Sequence, residues 1–535
     1  MKLVTLAALA VAGAFVPSAA QAQRARVTPY IEVSEVVSAQ LNGNSDVLTY
    51  TSLAVGADAT VQTRRVQAQV SYRYEHRFGT SGSLSSEDVH SGLASARYNL
   101  SRNVALEGGA LATRSRTDFG GESPGLAFAD SRNLSQVYAV YGGPSVSGNV
   151  NGVALNGSYR LAYVAVDANN DLVVPGQGLN RRRLNSYNDS VSQQLTASAG
   201  MAPGRLPFGW TVGGGYVRED VDTLDQRFTG TYIRGDVVVP VSPTFALTGG
   251  VGYESLKSSQ QDYRRTPGGL PILNARGELI ADSSRPRLRG VDIDGVIYDG
   301  GFIWTPTRRT ELQLRAGHRY GGTTVTGSLR HQIDKGSAIS ATLYDGVSSF
   351  GRGIINDLDA LPTSFSLPRN QLIGGPGGCV FGNDPGTGTC FDDSLQSITS
   401  ANFRNRGLSV LYSRRRGVWD FGLGANYARR NYLTSDGGNI FSLADVTDET
   451  AALQASLGRN FTRNSGVDFD AYAQWNKSGL FGSSDIYVLG ATGTYYRTFG
   501  ERLQANASLG LYNTSGGSFD SNTVASALLG LRYSF

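Results

Sequence analysis

The sequence predicts an all-β protein, a single transmembrane antiparallel up-and-down β-barrel of about 22 strands, with 18 to 24 compatible. Three observations predict it. The last residues alternate apolar with polar or small side chains and stop on Phe535, the first residues form an export signal, and period-two alternation recurs between them without any long apolar run.

In the closing segment, Ala527, Leu529, Leu531, Tyr533 and Phe535 share one strand face. Ser526, Gly530, Arg532 and Ser534 share the other, with Leu528 as the one apolar intruder. Such a strand can set one face in lipid and the other in a polar lumen. At the opposite end, Lys2 precedes a short apolar run that stops at Pro17, and Ala20-Gln21-Ala22 is an A-x-A cleavage site. Residues 1–22 are therefore expected to be a cleaved signal peptide, and residues 23–535 one continuous barrel.

Beyond the signal no stretch approaches the roughly 18 apolar residues a membrane helix needs. A mean hydropathy of −0.21 suits a barrel, because each lipid-facing residue is diluted by a lumen-facing polar one. The clearest internal strand covers 66–75, where Val66, Ala68, Val70, Tyr72 and Tyr74 oppose Gln67, Gln69, Ser71, Arg73 and Glu75. Residues 153–165 and 311–320 alternate in the same way. In the latter, Leu312, Leu314, Ala316, His318 and Tyr320 share a register opposite Glu311, Gln313 and Arg315. No segment shows a helical repeat sustained over three turns.

Short connections near 101–102, 242–243, 306–309, 334–336 and 462–465 alternate with long polar ones near 117–132, 167–186, 258–290 and 350–402. This is the pattern of short periplasmic turns and long extracellular loops, and an even strand count brings both termini to the periplasmic side. The content of 68 Gly, 26 Tyr and 21 Phe against 2 Met fits twisted strands, tight turns and interfacial aromatics. No composition shift or linker divides the chain.

The two cysteines, Cys379 and Cys390, lie in the longest loop across a Gly/Pro-rich turn, so an exported chain is expected to join them in a disulfide. That bond would stiffen a loop able to fold over or into a pore mouth, and a bare surface staple is equally compatible with the spacing. Net charge is +4, too small to imply nucleic-acid binding. Of the 48 basic residues only Lys2, Lys257, Lys335 and Lys477 are lysine. Arginines at 181–183, 264–265, 285, 287, 289, 414–416 and 429–430, with those on polar strand faces, lead to two readings. Free guanidinium groups would favour anionic solutes, whereas pairing with lumenal acids or lipopolysaccharide phosphates would not.

The four histidines, His76, His90, His318 and His331, form no metal-binding spacing, and neither a Walker loop nor a nucleophile elbow is present. No catalytic residue, cofactor or metal is expected. The acidic run at 167–171 lacks the full calcium-loop pattern.

The segment Val27-Thr28-Pro29-Tyr30-Ile31-Glu32-Val33-Ser34-Glu35, then residues 46–59 and the strand at 66–75, resembles the start of the outer-membrane β-barrel family found with exopolysaccharide and exosortase (PEP-CTERM) loci, the porin-like barrels of sphingomonad type. The closing strand likewise resembles the terminal strand of bacterial outer-membrane barrels, whose last Phe is read by the insertion machinery. The resemblance is architectural over nearly all of the mature chain and local only in these strands. It implies an envelope role and carries no catalytic residues.

The expected function is a porin-like channel in the outer membrane of a Gram-negative bacterium, passing polar or anionic solutes, with a link to exopolysaccharide export. Gln67, Gln69, Arg73, Glu75, Gln313 and Arg315 are the candidate pore-lining residues. Leu529, Leu531, Tyr533 and Phe535 are the candidate barrel-closing and insertion signal. Expected partners are lipid, lipopolysaccharide, the barrel-assembly machinery and a polysaccharide or small anion. The alternative is a non-conducting barrel that acts as adhesin, receptor or scaffold through its loops.

Overall fold

The computed structural model describes residues 25–535 apart from 43–46, 82–85, 117–133, 168–186, 275–277, 368–371, 373–377, 435–442, 445, 481–483 and 517–518. The expected signal peptide and the arginines at 181–183 lie outside the described residues.

Alternation builds one closed antiparallel sheet of 22 strands. Its first half comprises β1 (Ala25–Gln40), β2 (Val47–Gln62), β3 (Val66–Ser81), β4 (Glu87–Asn99), β5 (Val104–Arg116), β6 (Leu134–Val150), β7 (Val153–Asp167), β8 (Ser190–Met201), β9 (Gly209–Val221), β10 (Gln226–Ser242) and β11 (Phe245–Gln260). The second half comprises β14 (Leu288–Thr307), β15 (Thr310–Arg319), β16 (Gly322–Asp334), β17 (Ser337–Ser348), β21 (Phe403–Arg416), β22 (Trp419–Tyr432), β23 (Thr447–Thr462), β24 (Ser465–Lys477), β25 (Ile486–Phe499), β26 (Leu503–Gly516) and β27 (Phe519–Ser534). The remaining short strands, β12 (Asp262–Tyr263), β13 (Ala281–Asp282), β18 (Phe365–Ser366), β19 (Cys379–Gly382) and β20 (Gly388–Cys390), decorate two of the connections.

Closure removes the open edges that a sheet of this size would otherwise expose. β1 pairs with β27 from Tyr30↔Ser534 to Gln40↔Val524. Side chains reinforce that seam from inside. Ser38 and Ser526 share a hydrogen bond of 2.8 Å, and Arg532 of β27 reaches past β1 to Asp58 of β2 while lying 3.5 Å from the centre of the Tyr30 ring. Arg532→Ala should therefore weaken closure by about 1 kcal/mol, the scale of a half-exposed ion pair with a cation–π contact. A lower temperature for loss of the folded band on an unboiled gel is the expected result.

Both chain ends lie at one rim, called here the turn end, where connections such as 151–152 and 202–208 run to no more than seven residues. The opposite rim is the loop end. The connection expected over 258–290 is shorter than it looks, because β11 and β14 continue into it and leave 261–287.

Outside, exposed apolar side chains circle the wall, among them Val33, Leu161, Ile233, Val296, Leu453 and Leu509. Leu509 is 70% exposed and Leu529 69%, on strands whose alternate residues are buried inside. Such a continuous belt is costly in water and suits hydrocarbon. Aromatic residues border it at both ends: Phe245, Phe302, Trp304, Phe461 and Phe499 near the turns, and Tyr253, Tyr298 and Tyr487 nearer the loops. Tyr298 stacks on His318, which faces outward. Tyr320 does not continue that face; it sits in a turn with φ 55° and its backbone N–H donates to Glu254 Oε1 at 2.8 Å. The register ends at Arg319 because the hairpin closes there.

Candidate functional site

A barrel of 22 strands encloses a lumen too wide for its own wall side chains to fill. This one is occupied by the connection after β17, whose described residues between 349 and 402 turn inward instead of outward. The connection opens with helix α1 (Phe350–Ala360), begun by Ser349, whose hydroxyl accepts the Arg352 N–H. Phe350, Ile354, Ile355 and Leu358 form one apolar stripe, spaced to lie on one helix face. The stripe meets Leu111, Val137, Ala139, Tyr141, Ala162 and Val164 from β5 to β7, completing the largest apolar cluster among the described residues.

The chain then continues toward the turn end. The Leu361 and Phe365 carbonyls accept from Ser95 and Gln69, and the Thr363 carbonyl accepts from Gln62, at the end of β2. Farther on, β18, β19 and β20 form a small sheet. Cys379 and Cys390 are cross-strand partners joined by a disulfide, as expected from their spacing, and both are buried. The hairpin seats on β22 because Gly422 and Gly424 face inward without side chains. A Cβ on Gly424 would meet Cys379 Sγ at 2.3 Å, and one on Gly422 would meet the Phe381 ring at 2.6 Å. Gln454 of β23 accepts the Cys379 N–H at 2.6 Å. The hairpin tip reaches Ser413 and Arg415, at the turn end of β21. The connection is thus a plug that traverses the lumen from one rim to the other.

Two buried polar clusters hold it. At its root, Glu219 Oε2 of β9 accepts from Ser349 Oγ at 2.6 Å and from Arg352 Nε at 3.0 Å. Arg352 also donates to Asn402 Oδ1 at 2.8 Å and lies 3.7 Å from the Phe228 ring centre. Tyr187, fully buried beside Glu219, has its hydroxyl pKa pushed well above the usual value by burial. The second cluster centres on Asp393, which accepts from Tyr344 at 2.9 Å and Asn405 at 2.5 Å and pairs with Arg430 at 3.2 Å. Arg430 is 1% exposed and faces the Phe403 ring at 4.4 Å. Beside it Ser394 donates to Asp357 of α1, whose carboxyl burial pushes well above the ordinary range.

The sequence-selected residues separate into three groups. Gln67 and Gln69 face inward but are bound to the plug, accepting from the Thr363 hydroxyl at 3.3 Å and the Phe365 N–H at 2.8 Å. Arg73 and Glu75 also face inward and bond each other, with Glu32 on Arg73 at 3.0 Å and Arg77 on Glu75 at 3.1 Å. Arg315 lies across the lumen, held by Asp236 at 2.6 Å and Asp299 at 3.3 Å, and Gln313 is two residues from it on the same face. Leu529, Leu531, Tyr533 and Phe535 point outward, away from all of these. Glu219, Arg352 and Arg430 escape detection in the sequence, because their ion-pair partners lie 37 or more residues away. The one local signal was the Phe350, Ile354, Leu358 spacing.

Beneath α1 the wall from β4 to β10 stays bare on its turn-end half and encloses a cavity of about 510 Å³. Near it Asp359, close to the end of α1, pairs with Arg160 at 2.7 Å, two residues along β7 from the lining Ser158. Burial raises the Asp359 carboxyl pKa, with the Arg160 charge acting against the rise. Arg97 and Glu107 flank the cavity on one side at 2.6 Å, and Arg234 and Asp236 on the other at 2.7 Å. Arg97, Arg160 and Arg234 are not free cations, since each has a carboxylate within bonding distance, whereas Arg102, which also lines the cavity, has none among the described residues. The pairing reading of the arginine excess therefore applies to the first three and not to Arg102.

No protein-family model and no curated protein matches the chain. Among solved structures, the FrpB iron transporter of Neisseria meningitidis is similar with a TM-score of 0.44 at 11% identity, over 95% of this chain and 82% of that one. The ferric-catecholate import receptor Fiu of E. coli K12 gives 0.43 at 11%, over 95% and 81%. Pseudomonas aeruginosa OccK2 gives 0.31 at 10%, over 95% and 98%. Likeness this distant assigns no function to the chain.

Proposed function

We propose that the chain is an outer-membrane barrel of a Gram-negative bacterium, with both termini in the periplasm, and that it works as a plug-gated conduit for polar solutes. The observation that carries this reading is the combination of a lumen-crossing plug with a bare polar vestibule under it. A scaffold presenting loops gains nothing from an unfilled polar chamber, whereas a conduit needs one. The apolar belt and its aromatic borders support the membrane placement. The outward, terminal placement of Tyr533 and Phe535 on β27 supports reading of that strand by the assembly machinery, and lipopolysaccharide would surround the loop end. The exopolysaccharide link is the finer form of the proposal and rests on the resemblance of the first strands. Catalysis has no part in it.

Osmotic swelling of liposomes carrying the refolded chain tests the conduit. Native protein should admit a small polyol slowly. Cys379→Ser with Cys390→Ser should speed entry, because the hairpin loses a constraint of about 2–3 kcal/mol while the barrel wall is untouched. If folded barrels of both kinds exclude the polyol, the conduit reading fails and the loops become the functional surface.

A further inference from the structure

Arginines on the outside of the barrel differ with height and with sector. On the loop-end half they carry acids: Arg218 and Arg227 share Asp220, Arg406 reaches Asp345 at 3.4 Å and Arg429 reaches Glu449 at 3.8 Å. On the turn-end half, the strands from β1 to β17 set no arginine or lysine on the outer face; Leu106, Val146, Leu155, Val212 and Val239 occupy such positions. The sector beyond is different. Arg416 of β21, Arg459 of β23 and Arg497 of β25 share the outer faces of the exposed Leu408, Leu453 and Leu489, and each lies within three residues of its strand's turn-end terminus.

These three interleave with aromatic rings. Trp419 of β22 is the cross-strand partner of both Arg416 and Arg459, and the Arg459 guanidinium lies 4.7 Å from its ring centre and 5.3 Å from that of Phe461. Arg497 lies 5.3 Å from the Phe499 ring centre. A ring orients a guanidinium but leaves its charge uncancelled and its N–H edge free to donate. Among the described residues none of the three has a carboxylate within ion-pair distance. Asp420 and Asp468 face the lumen, where Arg415 holds Asp420 at 2.5 Å, and Glu501 stands beside Arg502 in the turn after β25. Arg463, in the turn after β23, is a further exposed cation; Arg414 differs, because Asp334 lies near enough to offset its charge. Toward mid-wall the same face becomes apolar, with Tyr495, Phe469 and Leu453 exposed.

An occupant of this sector meets uncompensated cations at the rim and an apolar surface just below them. A soluble acidic partner satisfies only the first condition, whereas a lipid with an anionic head satisfies both. We propose that the outer face of β21 to β25 at the turn end is a binding site for anionic phospholipid, with lipid phosphate on Arg416, Arg459 and Arg497 and acyl chains along the wall beneath. Arg416 and Arg459 stand two inter-strand steps apart, about 10 Å, so each fork can grip its own phosphate oxygens. The inference rests on the membrane placement proposed above and is independent of the conduit.

Quenching of tryptophan fluorescence by brominated lipids provides the test, because the wall carries its own control. Trp304 is as exposed as Trp419 at the same end, but its cross-strand partners are Phe245 and Leu312, and Arg308 and Arg309 lie only in the turn beyond it. Two refolded full chains, one keeping only Trp419 and one only Trp304 with the other tryptophans changed to Phe, are placed in phosphatidylcholine vesicles holding a minor fraction of chain-brominated phosphatidylglycerol. Quenching of Trp419 should show strong enrichment of the anionic lipid over its bulk fraction, and Trp304 little. Each arginine at an anionic headgroup contributes about a fivefold preference. Arg459→Gln should therefore lower the enrichment at Trp419 about fivefold, Arg459→Lys should keep most of it, and Gln at all three arginines should abolish it, with folding checked by unboiled-gel mobility. Brominated cardiolipin that outcompetes phosphatidylglycerol at equal phosphate would assign one two-phosphate lipid to the site, and equal competition separate headgroups; either supports the inference. Quenching of Trp419 that follows the bulk fraction, equal enrichment at Trp304, or enrichment unaltered by the triple substitution would overturn it. Failure of brominated phosphatidylcholine to quench either tryptophan would remove the membrane placement, and the site with it.

Discussion

Glu219→Ala should detach the root of the plug while leaving the barrel closed. The carboxylate receives Ser349 and Arg352 together, and its removal strands a guanidinium that is nine-tenths buried against Phe228. Losing one partner of a buried pair typically costs about 3–5 kcal/mol. The barrel's seams do not pass through this contact, so the cost falls on docking of α1. Limited proteolysis of the folded protein should show new cleavage within 349–402, with unboiled-gel mobility unchanged. Glu219→Gln, which keeps an acceptor but no charge, should fall between the two. Protection of 349–402 in Glu219→Ala would show that the apolar stripe alone seats the helix.

Arg430→Leu should have an effect of similar size, about 3–5 kcal/mol, at the other anchor. The substitution removes the cation that faces Asp393 and leaves the buried Asp357 next to another carboxylate. It also produces a pH dependence. Asp357 is raised in the folded protein first by burial and then by Asp393, against the hydrogen bond from Ser394 and the Arg430 charge, with Asp392 also adding to the rise. A carboxyl raised on docking contributes stability that is complete below its unfolded value and is lost as pH climbs through its folded value. Plug docking should therefore weaken as pH rises. Asp357→Asn should flatten that dependence, and Arg430→Leu should sharpen it. Hydrogen exchange of the α1 amides across a pH series, corrected for intrinsic rates, reads both.

The wall was legible in the sequence because a barrel strand needs only nearest-neighbour information. Val66 to Glu75 and the closing strand alternate, and alternation alone separates an inner from an outer face. The placement of Gln67, Arg73 and Arg315 on the inner face follows from the same rule. The interior was less legible. Gln67 and Gln69 look like water-facing residues, yet their partners are backbone and side-chain groups almost three hundred residues away. Helix α1 was hidden by Gly351 and Gly353, which lower helix propensity, and by its length of 11 residues, which is marginal for an isolated helix. It forms because the wall from β5 to β7 buries its stripe, a tertiary contact that overrides the local preference. The arginine excess could not be apportioned from composition, since whether Arg234 or Arg315 is free depends on Asp236 and Asp299 arriving from other strands.

Ser348 and Phe403 are cross-strand partners, so residues 350–402 can be replaced by a short glycine-serine turn without stretching the wall. Single-channel recording of that variant beside the native chain in a planar bilayer tests most directly whether the plug governs passage. The native protein should show small, intermittent conductance, and the plug-free barrel large, stable conductance, because a 22-stranded wall then surrounds open water. A plug-free barrel, folded by its gel mobility, that conducts no more than the native chain would contradict the account.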